Sequence, residues 1–136
     1  MKKEEIKLSL AASLVAGSLA VAAPAVAEGE VVFASWGGSF QDALRSAMLE
    51  PAASALNITV KEDTTNGIQD VRAQITAGAV AWDVTEQDLP SCETLSQEGS
   101  LEPIDYSIVD TRGIPKELIH DNYIGFINFT LSLIHI

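Results

Sequence analysis

Four consecutive residues after the first apolar run can form a small-molecule binding loop: Trp36, Gly37, Gly38 and Ser39. The indole of Trp36 offers a flat face that can stack on a ligand or hold a cation. The two glycines allow backbone angles that other residues disfavour, and before a helix they can present N–H groups to an anion. The competing interpretation is an indole buried under the first helix. Nucleotide binding has little support, because neither a G-x-G-x-x-G pattern nor a Walker lysine is present.

Two acidic residues, Glu86 and Asp88, follow the third predicted strand with Gln87 between them. Carboxylates two positions apart can hold an ammonium group through charge-assisted hydrogen bonds. Either residue can instead cap the helix that begins near Pro90. We predict that one of the two binds a ligand, with Asp88 as the first candidate.

The chain offers little for catalysis or metal binding. No G-x-S-x-G nucleophile elbow occurs, and Cys92, the single cysteine, has no partner that would activate it. His120 and His135 are the only imidazoles, and no His/Cys cluster has the spacing of a metal site. We therefore predict no catalytic residue, no metal ligand and no cofactor.

These candidate residues lie in a chain where strand-like and helix-like segments alternate, which is typical of an open, mainly parallel α/β sheet with flanking helices. Strands are predicted over residues 31–34, 57–63, 82–85 and 124–129. In such sheets ligands bind beyond the carboxyl ends of the strands. The loops that we expect to form the site are therefore 35–39, 64–67 and 86–89.

Three helices are predicted between the strands. The first begins at Ser39, which has capping-box spacing to Asp42, and Pro51 is expected to end or bend it. Its predicted apolar face comprises Phe40, Ala43, Leu44, Ala47 and Met48.

The second helix is predicted to begin with Asn66 as its cap and Gln69 as the capping partner, and to end at Gly78. Its apolar stripe comprises Ile68, Val71 and Ile75. The third helix is predicted over residues 91–97, closed by Gly99.

The first 27 residues have the pattern of a secretory signal peptide. Lysines at the start precede an uncharged run from Leu8 to Ala23, and Ala25-Val26-Ala27 forms a cleavage site before Glu28. The apolar run is shorter and less apolar than a membrane span requires. We therefore expect export to the periplasm.

The formal net charge of −11 argues against a nucleic-acid partner, which would require basic patches. It is compatible with a cationic ligand and equally with an acidic, solvated surface. The residues that follow the signal suffice for one small lobe with its own core.

The order and spacing of several segments closely resemble extracellular solute-binding proteins of the spermidine/putrescine type. The resemblance runs from Glu30 to about Thr130, and no single motif in it is diagnostic. The segments are V-V-F-A-S-W-G-G-S-F-Q-D-A, I-T-V-K-E-D, G-I-Q-D-V-R-A-Q-I-T-A-G, W-D-V-T-E-Q-D, E-G-S-L-E-P-I-D-Y and I-H-D-N-Y-I-G-F.

The resemblance implies a type II periplasmic-binding-protein fold whose two lobes close on a ligand, and a monomer that delivers a polyamine to an ABC permease in the inner membrane. It places the stacking Trp of the family on Trp36 and a polar ligand contact on Asp88. Polyamine binders of the family tend to follow that Trp with Ser or Thr and then an acid, whereas this chain has Gly37 and Gly38. Thiamine, iron or another small solute is therefore an alternative ligand.

The carboxyl end departs from the family, whose members continue into a second lobe. We interpret residues 28–130 as a truncated N-terminal lobe and residues 131–136, Leu-Ser-Leu-Ile-His-Ile, as a non-native tail read from a sequencing adapter. Two rival interpretations keep the secreted location: a binding protein that serves a chemoreceptor, and an enzyme whose catalytic groups lie in the missing part.

Overall fold

A computed structural model describes residues 29–128 of the chain. The predicted signal segment 1–27 and the predicted tail 131–136 lie outside the described residues. The elements, in chain order, are β1 (Gly29–Ser35), α1 (Gly38–Leu44), a π-helical turn (Arg45–Leu49), α2 (Glu50–Leu56), β2 (Ile58–Thr64), α3 (Ile68–Ala77), β3 (Val84–Thr85), α4 (Leu89–Gln97) and a 3₁₀ turn (Lys116–Leu118).

The three strands form one parallel sheet in the order β2-β1-β3, as the alternating pattern predicts. The last three residues of the central strand, Phe33, Ala34 and Ser35, are all buried. A run of buried residues is expected where a parallel strand is covered on both faces. Because the three strands are parallel, their carboxyl ends all lie at one edge of the sheet.

Strand β2 begins one residue later than predicted. Asn57 has a φ of 51° and closes α2 in the left-handed conformation, which an Asn tolerates better than most residues. Within the strand, Ile58 and Val60 are half-buried and alternate with exposed Thr59 and Lys61, as expected from their two-residue period.

The predicted apolar face of the first helix is confirmed at Leu44, which is buried, and is wrong at the other four residues. Phe40 and Met48 are exposed, and the residues that α1 and the π turn bury are Gln41, Leu44 and Leu49. A π turn closes its hydrogen bonds over five residues instead of four. Leu49 therefore takes the inward position that regular α-helical spacing gives to Met48, and it joins Phe33 in the core.

Pro51 does not end the helical run, because it lies in the first turn of α2, where a missing N–H costs little. The disturbance instead appears just before it, as the π turn. Pro51 cannot donate the hydrogen bond that would continue a regular α-helix through this point.

The predicted side-chain caps of the first two helices are also wrong. Gly37 is the N-cap of α1 and Gly67 is the N-cap of α3, and neither helix has a side-chain cap. Ser39 lies inside α1, because the two glycines let the chain turn into the helix two residues earlier, with Gly37 in place of Ser39 as the cap. Asn66 lies outside α3, and its backbone N–H donates to Asp70 Oδ2 at 2.7 Å.

Strand β3 has two residues, where four are predicted. Asp83 explains the difference, because its carboxylate accepts a hydrogen bond from the backbone N–H of Val32 at 2.8 Å. A side chain thus takes the place of a backbone carbonyl in the ladder. The third predicted helix corresponds to α4, which begins at Leu89, two residues earlier than predicted.

The predicted strand over residues 124–129 does not form within the described residues, and Phe129 lies outside them. Ile124 makes one isolated antiparallel bridge with Ile119. Gly125 N–H donates to the Leu118 carbonyl at 2.8 Å, so the segment folds back on its own neighbour and does not join the sheet.

Candidate functional site

The three loops after the strands converge, as predicted, at the carboxyl edge of the sheet. Thr65 N–H donates to the Ser35 carbonyl at 2.8 Å, and the amide of Gln87 donates to Thr65 Oγ1 at 3.3 Å. The hydroxyl of Ser35, which is fully buried, donates to Glu86 Oε2 at 2.6 Å. Hydrogen bonds therefore join each loop to the other two.

Trp36 lies at this edge with 43% of its surface exposed, so the indole is not buried beneath α1. It packs beside Gly67, where an added Cβ would lie 3.9 Å from Trp36 Cη2. The Cη2 edge of the ring therefore lies beside the loop after β2, and much of the indole is exposed.

The two glycines after Trp36 both have positive φ values, 75° for Gly37 and 61° for Gly38. A Cβ at Gly37 would also lie 3.2 Å from Thr64 Cγ2, which is closer than side chains normally pack. The positive φ therefore favours glycine at this position, and a Cβ there would also require the Thr64 side chain to shift by a few tenths of an ångström. Ser39 is exposed in the first turn of α1.

Gln41 is a residue of this region that the sequence reasoning missed. Its side chain is buried, and its Oε1 accepts a hydrogen bond from Gly37 N–H at 3.0 Å. Its Nε2 donates to Glu62 Oε2 at 2.8 Å and, more weakly, to the Asp63 carbonyl at 3.4 Å. A signal was present, because Gln41 precedes buried Leu44 by three residues and so lies on the inward face of the helix.

Glu86 is a half-buried carboxylate at the same edge. Burial raises its pKa, and the hydrogen bond from Ser35 opposes that shift in part. Neighbouring Gln87 has a buried Oε1 for which the described residues provide no hydrogen-bond donor. None of the ion pairs among residues 29–128 includes Glu86, so its carboxylate has no cationic partner in the part of the chain that the structure describes.

Asp88 has a structural role. It is the N-cap of α4, and its Oδ1 accepts a hydrogen bond from the backbone N–H of Ser91 at 2.8 Å. Of the two roles that the sequence left open for the acidic pair, Asp88 performs the cap. It is exposed, and its second carboxylate oxygen can still face a ligand.

Replacing Asp88 with Ala should lower the free energy of unfolding by about 0.5 to 2 kcal/mol, because the first turn of α4 loses its cap. Asn also caps helices well, so D88N should keep nearly the full stability. Chemical denaturation of both variants measures the difference. Equal losses in D88A and D88N would contradict the capping role.

Glu86 and Asp88 also line an open groove of about 1160 Å³ beside β3 and α4. Most of its wall is apolar, with contributions from Val84, Leu89 and Phe126. Among residues 29–128, no three His, Cys, Asp or Glu side chains are grouped as a metal site would require. None of the helices in that same range is long and apolar enough to cross a membrane.

Several solved structures are similar to this chain. The periplasmic binding protein MotA of A. tumefaciens, in complex with glucopine, is 37% identical with a TM-score of 0.63, over 68% of this chain and 28% of that protein. The periplasmic binding protein AgtB of the same organism, in complex with agropinic acid, is 36% identical with a TM-score of 0.66, over 69% of this chain and 30% of that protein. A GABA receptor is 29% identical with a TM-score of 0.66, over 71% of this chain and 30% of that protein.

No protein-family model and no curated protein sequence matches the chain. The chain spans about 30% of the length of the solved structures that it resembles.

Proposed function

We propose that this chain contributes part of one lobe to the substrate-binding component of an ABC importer, which captures a small solute in the periplasm. The observation that carries the proposal is the convergence of three loops at one sheet edge, with an exposed Trp36 and a half-buried Glu86. The likeness to binding proteins for small solutes supports it.

The fold is the one predicted, a partial lobe of a type II periplasmic binding protein with an open parallel sheet. The structural neighbours are substrate-binding proteins of transporters, which supports the prediction that the chain is not an enzyme. The interpretation as a secreted enzyme therefore has less support than the interpretation as a binding protein.

The remaining features of the whole protein belong to the proposal. We propose that residues 1–27 direct export, that a second lobe completes the cleft, and that the closed monomer docks on permease subunits in the inner membrane. The names of the neighbouring structures support a periplasmic location. The non-native origin of residues 131–136 stays a prediction.

For the ligand we propose a small solute with a protonated amino group, of which the polyamines spermidine and putrescine are the first candidates. An indole face and a carboxylate without a cationic partner both favour a cation. GABA, which carries an ammonium group, and the opines bound by the neighbours are the next candidates. Thiamine and iron remain as alternatives.

Calorimetric titration of the complete, two-lobed protein tests the proposal. Putrescine, spermidine, GABA, an opine and thiamine form the panel, and we expect saturable heat from at least one compound with an ammonium group. Heat from thiamine alone would overturn the ammonium assignment and keep the binding-protein assignment. The absence of heat with the entire panel, together with no shift in melting temperature, would count against both.

Replacing Trp36 with Ala should weaken binding of the cationic solute by about twofold to fivefold, because an exposed cation–π contact contributes about 0.5 to 1 kcal/mol. Closure of the cleft would enlarge the factor by excluding water. Trp36→Phe, which keeps an aromatic face, is the matched control and should bind more tightly than Trp36→Ala. Equal affinities for the two variants would contradict stacking.

A further inference from the structure

We propose that Gln41 is the positioning residue of the Trp36 loop: it holds Trp36 in its binding orientation by tying Gly37 to strand β2. The inference rests on the proposed function, because it takes this loop as part of the ligand site. Gln41 itself is buried and lies outside any contact that a solute could make.

The geometry of the amide supports this role. Gln41 Oε1 accepts from Gly37 N–H at 3.0 Å, while Nε2 donates to Glu62 Oε2 at 2.8 Å. One amide thus joins the residue after Trp36 to the strand on which the neighbouring loop is built. An amide meets both requirements because it carries a donor and an acceptor on one rigid plane.

The loop needs such a tie because its own backbone is permissive. Gly37 and Gly38 lie in the left-handed region, which glycine enters without steric cost. Two adjacent glycines leave the position of Trp36 weakly determined by local preferences. The bond from Gly37 to a helix side chain removes much of that freedom.

Glu62 is itself fixed on its other side. Arg45 donates to both oxygens of Glu62, at 3.0 Å from Nη2 and with a short bond from Nε, and also to Asp42 at 2.8 Å. The hydrogen bond from Arg45 lowers the pKa of Glu62, so Glu62 is a carboxylate at neutral pH and accepts from Gln41. The chain of contacts therefore runs from Arg45 through Glu62 and Gln41 to Gly37.

The test changes which of Gln41 and Glu62 donates the hydrogen bond between their side chains. Gln41→Glu keeps the shape of the side chain and an acceptor for Gly37, but it places a second carboxylate against Glu62. We expect the Gly37 amide to exchange with solvent about tenfold faster and the solute to bind about tenfold more weakly, which corresponds to about 1.4 kcal/mol. The double variant Q41E/E62Q restores a donor opposite an acceptor and should return both values to within about threefold of the unsubstituted protein.

A matched control separates positioning from charge. Gln69→Glu adds the same negative charge in the first turn of α3, two residues after Gly67, on an exposed side chain. We expect Q69E to leave the exchange rate of Gly37 unchanged. If Q41E does not fold, Gln41→Lys supplies the answer, because Lys pairs with Glu62 but cannot accept from Gly37 N–H, and fast exchange at Gly37 is again expected.

The measurements are NMR amide exchange at Gly37 and calorimetric titration with the panel of putrescine, spermidine, GABA, an opine and thiamine, both on the complete protein. Unchanged exchange in Q41E, or no recovery in Q41E/E62Q, would overturn the positioning role even when solutes bind. If no solute binds the unsubstituted protein while the exchange rates follow the expected order, the proposed function fails and the hold on the loop stands.

Discussion

Replacing Glu86 with Gln should weaken binding of a cationic solute by about tenfold to a hundredfold. The structure favours Glu86 over Asp88 for charge recognition, although the sequence placed Asp88 first. One oxygen of Asp88 serves the cap of α4, whereas Glu86 is half-buried beside the convergent loops and has only a neutral partner, Ser35. A hydrogen bond to a charged group contributes about 1.5 to 3 kcal/mol, which is the stated loss in affinity.

The variant is well suited to the question, because the amide oxygen of E86Q can still accept from the Ser35 hydroxyl. D88N is the matched control, since it removes the same charge two residues away and keeps the cap. Calorimetric titration of the complete protein with putrescine measures both. A larger loss in D88N than in E86Q would reverse the assignment and restore the ranking that the sequence suggested.

The raised pKa of Glu86 gives the same assignment a dependence on pH. Binding of a cation requires the carboxylate, so affinity should fall as the pH is lowered through the folded-state pKa, which lies above the ordinary 4.5. Aliphatic amines stay protonated over this range, and E86Q should show a flatter profile. The free energy of unfolding should change with pH in the opposite direction to the affinity. Because the folded state holds the proton of Glu86 more tightly than the unfolded state does, the contribution of Glu86 to stability increases as the pH falls.

Replacing Leu95 with Ala should lower the free energy of unfolding by about 2 to 5 kcal/mol. Leu95 in α4 is fully buried, so its truncation removes apolar contacts and leaves a cavity. A domain of this size has a total stability of only about 5 to 15 kcal/mol. The melting temperature should therefore fall by roughly 8 °C or more.

Leu56→Ala is the matched control for this prediction. Leu56 lies in α2 with 65% of its surface exposed, and its truncation should change the free energy of unfolding by less than about 0.5 kcal/mol. Thermal unfolding of both variants decides the matter. Equal shifts would show that the packing of α4 contributes less to the fold than its burial indicates.

Local signals in the sequence were sufficient for the order of strands and helices up to residue 97 and for the position of the candidate loops, but they wrongly predicted a strand after residue 123. Val31 to Ala34 reads as a buried parallel strand, and Ile58 and Val60 alternate as a half-buried one, because the period of a strand is set by its own backbone. Gly78 and Gly99 mark helix ends, since both take the left-handed conformation, with φ of 62° and 68°. The edge at which a ligand can bind follows from the parallel arrangement alone.

Which face of the first helix is buried was decided by the tertiary structure. Phe40 and Met48 have the residue types and spacing of a core face, yet Gln41 and Leu49 take the inward positions. The π turn before Pro51 changes the phase of the helix, so that Leu49 and not Met48 packs in the core. A sequence pattern with the regular 3.6-residue period does not predict this change of phase.

The roles of the polar residues also depended on contacts between distant parts of the chain. Asp83 substitutes for a backbone acceptor opposite Val32, and Gln41 joins Gly37 to Glu62, which is 21 residues away. From the sequence alone, Asp88 and Glu86 are equivalent acids with two open roles. A side-chain hydrogen bond requires its two atoms to lie about 3 Å apart, so only the assembled sheet, which sets those distances, determines that Asp88 caps a helix and that Glu86 accepts from Ser35.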